Sequence, residues 1–250
     1  MGQALGLAKR TLHTMEQRMT LATQPFQAVI FDMDGLMLDT ERIYHRTWQR
    51  AGHELGYSIS DAFMLSTIGR TFPDCYRLLV ETYGPDFPLA AFQARWPARW
   101  HEDVARNGVP QKPGLIALLD WLDAQAIPKA VATSTTRDEA HFTLRAGGIA
   151  DRFAVVVTGD EVAHGKPAPD IYLLAAARLG VTPTRCVALE DSDAGVLSAA
   201  AAGMVAMMVP DTKQPSPEAA TQATHVVTTL HEVTRLLAAR WNGSADEAGT

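Results

Sequence analysis

The sequence predicts an α/β fold: a Rossmann-like doubly wound parallel sheet core with an inserted α-helical cap domain. Three observations predict it. Six short, nearly continuous apolar runs alternate with helix-patterned stretches, as expected for strands covered on both faces. One long interval, residues 40–106, carries helix patterns and no convincing strand. Three of the apolar runs end in polar clusters, and an open α/β sheet keeps its ligand crevice at the carboxyl ends of its strands.

In chain order, residues 1–24 precede the first strand and lack the apolar core of a secretory signal, so they read as an extension without structure. The first strand is "AVIF" (28–31), and residues 25–39 belong to the core. The insert, 40–106, contains four helix patterns: Thr40–Leu55 closed by Gly56, Ser60–Ile68, Pro73–Tyr83 closed by Gly84, and Pro88–Arg106. "NGVPQKPG" (107–114) supplies a Gly- and Pro-rich return to the core, which resumes over 107–240. There "GLIALLDWLDAQ" puts Leu115, Leu118, Leu119 and Leu122 on one helix face. The strands "AVAT" (130–133), "AVVVT" (154–158), "CVAL" (186–189), "MVAMMV" (204–209) and "HVVTT" (225–229) follow. Among the helices between them are "DIYLLAAARLG", with its Gly stop, and "DAGVLSAAAAG". Residues 241–250 read as an unstructured tail.

Composition narrows the function. The chain has 250 residues, 47% of them hydrophobic, and 22 basic against 28 acidic side chains, a net charge of −6. That balance argues against a nucleic-acid partner or a membrane-surface role, and no apolar stretch is long enough to span a bilayer. Cys75 and Cys186 stand far apart with no CxxC or Cys/His grouping, as in reduced residues of a cytoplasmic protein.

The polar strand ends carry the chemistry. The first ends in Asp32-Met33-Asp34-Gly35, the second in Thr133-Ser134-Thr135-Thr136, and a later one in Glu190-Asp191-Ser192-Asp193; "GKPAPD" offers Lys166 between the last two. Two carboxylates at about 4 Å repel by about 4 kcal/mol at an effective dielectric of about 20, so such a cluster calls for a counter-cation. An all-oxygen ligand set favours Mg²⁺.

These motifs, DxDG, a strand-end Thr, GKPxPD and the acidic pair in "LEDS", stand in an order that resembles the haloacid dehalogenase-like superfamily. The resemblance covers about residues 26–240 and points to the β-phosphoglucomutase-like phosphatases with a helical cap. It implies the following roles. Asp32 is the nucleophile that becomes an aspartyl phosphate. Asp34 is the general acid and then the base, with its backbone carbonyl on Mg²⁺. Thr133, Ser134 and Gly35 hold the transferring phosphoryl group, and Lys166 bridges that group and Asp32. Asp191, with Glu190 beside it, joins Asp32 and Asp34 around the metal. In the cap, Tyr44 and Arg70 face the substrate. Mg²⁺ is the implied cofactor, a small phosphorylated metabolite the substrate, and a monomer or dimer the assembly.

Alternatives on the same scaffold separate by residue type. Dehalogenases lack the second Asp, which is present here as Asp34. Phosphonate-cleaving relatives need a cap lysine, and no lysine lies between Lys9 and Lys112. A β-phosphoglucomutase-type isomerase has a cap His where this chain has Tyr44, and a cap Arg where it has Phe72. Both departures favour a phosphatase and leave the isomerase as the alternative.

Overall fold

The computed structural model describes residues 26–67 and 72–247, with side chains through Trp241. The expected extension over 1–24 and the cap residue Arg70 lie outside the described residues. Six parallel strands form one sheet: β1 Ala28–Phe31, β2 Lys129–Ala132, β3 Val155–Val157, β4 Cys186–Glu190, β5 Val205–Met208 and β6 His225–Val226. Their order is β3-β2-β1-β4-β5-β6, with the chain reversing direction across the sheet at β1. Phe31 is level with Val131 on β2 and with Leu189 on β4. This register brings the polar residues that follow β1, β2 and β4 to one edge.

Alternate strand residues feed two different cores. Val29, Phe31, Val131 and Leu189 pack with Leu115, Leu118, Leu119 and Leu122 of α5 (Leu115–Ala124), in the register read from its leucines. The last helix, α10 (Leu230–Glu247), adds Val233 and Leu237 to that face. Ala28, Ile30, Ala130, Ala132 and Ala188 face the other way, where α7 (Asp170–Leu179) and α8 (Asp193–Ala201) lie on them. Small residues on this face let those two helices come close to the strand ends.

The four cap helices are α1 (Glu41–Glu54), α2 (Asp61–Thr67), α3 (Phe72–Tyr83) and α4 (Leu89–Asn107). They enclose an apolar cluster that includes Trp48, Phe63, Leu79 and Phe92. Arg46 on α1 clasps Asp103 on α4 through two hydrogen bonds of 2.6 Å. The chain enters and leaves the cap side by side: Asp39 N–H donates to Pro110 O and Lys112 N–H to Met37 O, each at 2.8 Å. α6 (Arg137–Ala146) and α9 (Pro217–Gln222) complete the core.

Two expectations need correction. "HVVTT" gives a strand over His225–Val226 alone, because Thr228 and Thr229 turn to cap α10: Thr228 N–H donates to Glu232 Oε2 at 2.8 Å and Glu232 N–H to Thr229 Oγ1 at 3.3 Å. The tail expected over 241–250 is helical as far as Glu247. Trp241 anchors it, packing against Phe26 with ring centroids 5.5 Å apart.

Candidate active site

Asp32 follows β1 directly, and its N–H still donates to Leu189 O at 2.9 Å, so the sheet ladder fixes its backbone. Its Oδ1 accepts from Lys166 Nζ at 2.5 Å. The same ammonium donates to Glu190 Oε1 at 2.6 Å and to Ala132 O at 3.0 Å. Three neighbouring strands thus contribute acceptors to one buried cation. Lys166 comes from the loop before α7, where the Lys166–Pro167 peptide is cis. Its side chain is 5% exposed and lies over the Tyr172 ring.

Glu190 is fully buried, and its oxygens are engaged. Oε1 also accepts from Tyr172 O–H at 2.6 Å, and Oε2 from Ser192 Oγ–H at 3.0 Å and Ser192 N–H at 3.3 Å. The expected metal-ligand group is brought together in part: carboxylate oxygens of Asp32, Glu190 and Asp191 lie within 4.8 Å of one another. Three hard oxygen donors so placed suit a divalent cation such as Mg²⁺.

The electrostatics agree with a site that calls for positive charge. Burial pushes the Asp32 carboxyl up to about 8; Glu190 and Asp34 add to the rise, against the pull of Lys166. Burial, with Asp32 and Glu190, raises Asp191 well above the usual carboxylate range. Burial works against the Lys166 charge, but Asp32 and Glu190 outweigh it and raise the ammonium above its ordinary value.

Asp34 sits apart from this trio. Its Oδ2 accepts from Thr135 Oγ1 at 2.9 Å and from Thr133 Oγ1 at 3.4 Å, while its Oδ1 has no partner among the described residues. Burial raises its pKa, and the threonine hydroxyls moderate the rise. A carboxyl held this way is more readily protonated than a free one.

Gly35, expected among the phosphate-binding residues, is placed otherwise. Its N–H already donates to Leu38 O at 2.9 Å. Its backbone is left-handed, with φ of 80°, and a Cβ there would meet Asp191 Oδ2 at 2.3 Å. Glycine at this position therefore lets Asp191 approach β1. Gly195 in α8 does the same for Glu190, whose carboxyl carbon would lie 1.8 Å from a Cβ. Gly195→Ala is expected to displace Glu190 and to destabilise the fold by about 3 kcal/mol, as overpacking of a tight interior does. Urea unfolding measures this; a midpoint equal to wild type would refute it.

Above the strand ends lies a cavity of about 890 Å³, lined by Asp32, Asp34, Thr133, Ser134, Lys166 and Asp191 on the core side. The cap side is aromatic, with Tyr44, Phe72, Trp96 and Trp100. Tyr44 stacks on Trp100, ring centroids 4.1 Å apart. The cap neighbours of Tyr44 do not line the cavity: His45 lies 3.7 Å from Asp61, and Trp48 is in the cap's own core. Sequence reasoning did not assign Tyr172, Glu41, Glu139 or Asp211 to this region. Tyr172 holds Glu190, and the other three line the cavity. Burial pushes Glu41 up to about 7, helped by Asp34, Asp211 and Asp39. Phe72, read only as a departure from the isomerase pattern, is part of the aromatic wall.

The family model for haloacid dehalogenase-like hydrolases matches residues 26–203. A phosphorylated carbohydrates phosphatase of Thermotoga maritima is 35% identical over 181 residues, which cover 71% of this chain and 82% of that protein. The fructose-1-phosphate phosphatase YqaB of Escherichia coli is 33% identical over 184 residues, covering 74% and 96%. The crystal structure of CbbY from Rhodobacter sphaeroides in complex with phosphate superimposes with a TM-score of 0.69 at 26% identity, covering 83% of this chain and 96% of that one.

Proposed function

The chain belongs to the haloacid dehalogenase-like hydrolase family, and on that premise we propose a Mg²⁺-dependent phosphomonoesterase. Its substrate is a small phosphorylated metabolite, a sugar or polyol phosphate, hydrolysed through an aspartyl phosphate on Asp32. One observation carries the reading. A carboxylate at the end of β1 touches a buried lysine at 2.5 Å, with a second acid, Asp191, beside it and an 890 Å³ cavity above. Relatives named as phosphatases of phosphorylated carbohydrates and of fructose 1-phosphate support the substrate class. No helix among the described residues is long and apolar enough to cross a membrane.

The family resemblance gives these roles, and the placement of the residues supports them. Asp32 attacks phosphorus; its oxygen forms the new P–O bond as the bond to the leaving oxygen breaks. Asp34 gives its proton to that oxygen. It then takes a proton from the water that attacks the aspartyl phosphate, and phosphate leaves with the carboxylate of Asp32 restored. Thr133 and Ser134, at the end of β2, hold the phosphoryl oxygens, and Lys166 offsets their charge. Mg²⁺, when bound, neutralises the carboxylates and the incoming phosphate. Asp32 and Asp191 would hold it through their side chains, with the Asp34 carbonyl as the expected backbone ligand. Glu190 supports from behind, because its two oxygens already accept from Lys166, Tyr172 and Ser192.

Hydrolysis of a panel of phosphate esters, with Mg²⁺ and with chelator, tests this. Metal-independent turnover would count against the site. Mg²⁺ alone is also expected to raise Tm, since a ligand at about a hundred times its Kd stabilises by about 2.7 kcal/mol. The rise is larger at pH 8 than at pH 6: binding needs the ionised Asp32, whose carboxyl burial holds near about 8, so protons compete more strongly as pH falls. An unchanged Tm at both pH values would remove the metal assignment.

Tyr44 in place of a cap histidine favours hydrolysis over isomerisation. With β-glucose 1-phosphate and a trace of the 1,6-bisphosphate, inorganic phosphate is expected to appear faster than glucose 6-phosphate. The reverse would make the chain an isomerase. Arg70 remains assigned to substrate binding on the sequence pattern.

A further inference from the structure

Glu139 stands in the first turn of α6, on the core side of the cavity, yet its contact is with the cap. Its Oε2 lies 3.0 Å from His101 Nε2 on α4. The His101 ring stacks on Phe142, further along α6, with centroids 4.5 Å apart and planes at 18°. The residue before His101 is Trp100, which stacks on Tyr44 and lines the cavity together with Glu139. The second carboxylate oxygen of Glu139, Oε1, is buried and accepts no hydrogen bond among the described residues. An unpaired buried carboxylate oxygen is costly, and a hydrogen-bond donor that reaches it relieves that cost.

Tyr44 links this carboxylate to the reaction centre. Burial raises its phenol well above the ordinary value, and the next contributors are Asp34 and Glu139. Glu139 and the acid/base residue Asp34 line the same cavity. Phe72 and Trp96 pack edge-on against Tyr44 to make an apolar wall, suited to the C–H bonds of a sugar or polyol.

We propose that Glu139 determines leaving-group specificity: its Oε1 accepts a hydrogen bond from a leaving-group hydroxyl, while its Oε2 holds His101 and with it cap helix α4. This deepens the phosphatase reading and rests on it. Substrate recognition and cap position then share one side chain. A bound hydroxyl orders the carboxylate that positions α4, and α4 carries Trp100 and, through it, Tyr44. Glu139 binds the leaving group and takes no part in bond-making. An ammonium-bearing leaving group would offer the same kind of donor and is separated from hydroxyl in the test.

The test measures kcat and KM with Mg²⁺ for wild type, Glu139→Ala, Glu139→Gln and His101→Ala. The substrates are glycerol 3-phosphate, fructose 1-phosphate, 2-aminoethyl phosphate and p-nitrophenyl phosphate, the last having no leaving-group donor. Glu139→Ala is expected to lower kcat/KM on the better hydroxylated ester at least tenfold more than on p-nitrophenyl phosphate, chiefly through KM. Glu139→Gln keeps an acceptor oxygen and recovers part of the loss. His101→Ala lowers both esters by similar factors, because it loosens α4 and leaves the acceptor in place. Equal losses on both esters in Glu139→Ala and Glu139→Gln would overturn the proposal and leave Glu139 a structural latch. A larger loss on 2-aminoethyl phosphate than on either hydroxylated ester would overturn the hydroxyl assignment. Wild-type turnover of p-nitrophenyl phosphate without turnover of either hydroxylated ester would defeat this inference alone. No turnover of any of the four esters would defeat the phosphatase reading and this inference with it.

Discussion

Asp32→Asn is expected to lower turnover on the order of 10⁴-fold or more while raising Tm or leaving it unchanged. The activity loss follows from chemistry: an amide oxygen is a far poorer nucleophile than a carboxylate, and removal of a covalent catalyst's attacking group costs most of its rate. The stability gain follows from burial. Asp32 is 7% exposed, and burial lifts its carboxyl to about 8, so at neutral pH the fold holds a group that resists ionising. An isosteric neutral side chain removes that cost. Lys166 keeps Glu190 Oε1 at 2.6 Å and the Ala132 carbonyl, so its charge is not orphaned. Activity and stability then move in opposite directions, as they do where a site is strained for function. The comparison belongs in chelator, since Mg²⁺ stabilises wild type and the variant lacks one proposed ligand. Activity within tenfold of wild type would sink the nucleophile assignment. A large fall in Tm would show instead that Asp32 is a structural partner of Lys166.

The same pairs of residues explain what could be read from the sequence. The sheet was legible because β1, β2, β4 and β5 are largely buried, and apolar but for the charged residues at two strand ends, Lys129 and Glu190; nothing polar inside them competes for a different period. Asp32, Thr133, Lys166 and Asp191 were legible because each follows or bridges such a run, and parallel register brings their positions together. Where local hydrogen bonding competes, the reading slips: Thr228 and Thr229 look like strand residues but cap α10. Gly35 illustrates a different limit. The resemblance placed it around the phosphoryl group, but its close neighbour is the Asp191 carboxylate. Glu139 and Tyr172 carried no signal at all. One lies in an ordinary acidic first turn and the other on an apolar helix face; only the packing of α4 on α6 and of α7 on the sheet gives them partners.

Lys166→Met is expected to abolish measurable hydrolysis and to destabilise the protein by about 3–5 kcal/mol, the cost of leaving buried charge uncompensated. For a chain of this length that is a fall in Tm on the order of 10 °C. Lys166 donates to Asp32 Oδ1, Glu190 Oε1 and Ala132 O from a side chain that is 5% exposed. Methionine fills similar volume and restores none of the charge, so two buried carboxylates lose their shared cation. The pH dependence gives the assignment its sign. In the variant, Asp32 titrates above its unfolded value by more than in wild type, where it already stands at about 8. A carboxyl whose folded pKa is raised contributes its protonated-form stability fully below the unfolded pKa, near 4, and loses it as pH climbs through the folded pKa. Below about pH 7 Asp32 is protonated in both folded proteins, so the gap in Tm between wild type and Lys166→Met should stay nearly constant there and widen as pH rises through about 8, where wild type alone ionises it. Adding Asp32→Asn to Lys166→Met removes the carboxyl that resists ionising and should, above about pH 8, recover more stability than the same change does in wild type, with none of the activity. That coupling, measured as a double-mutant cycle in chelator, distinguishes loss of a buried countercharge from loss of packing, because a packing defect would neither widen above about pH 8 nor respond to Asn at position 32. A pH-independent gap, or hydrolysis within tenfold of wild type, would show that Lys166 neither holds Asp32 nor serves the phosphoryl group.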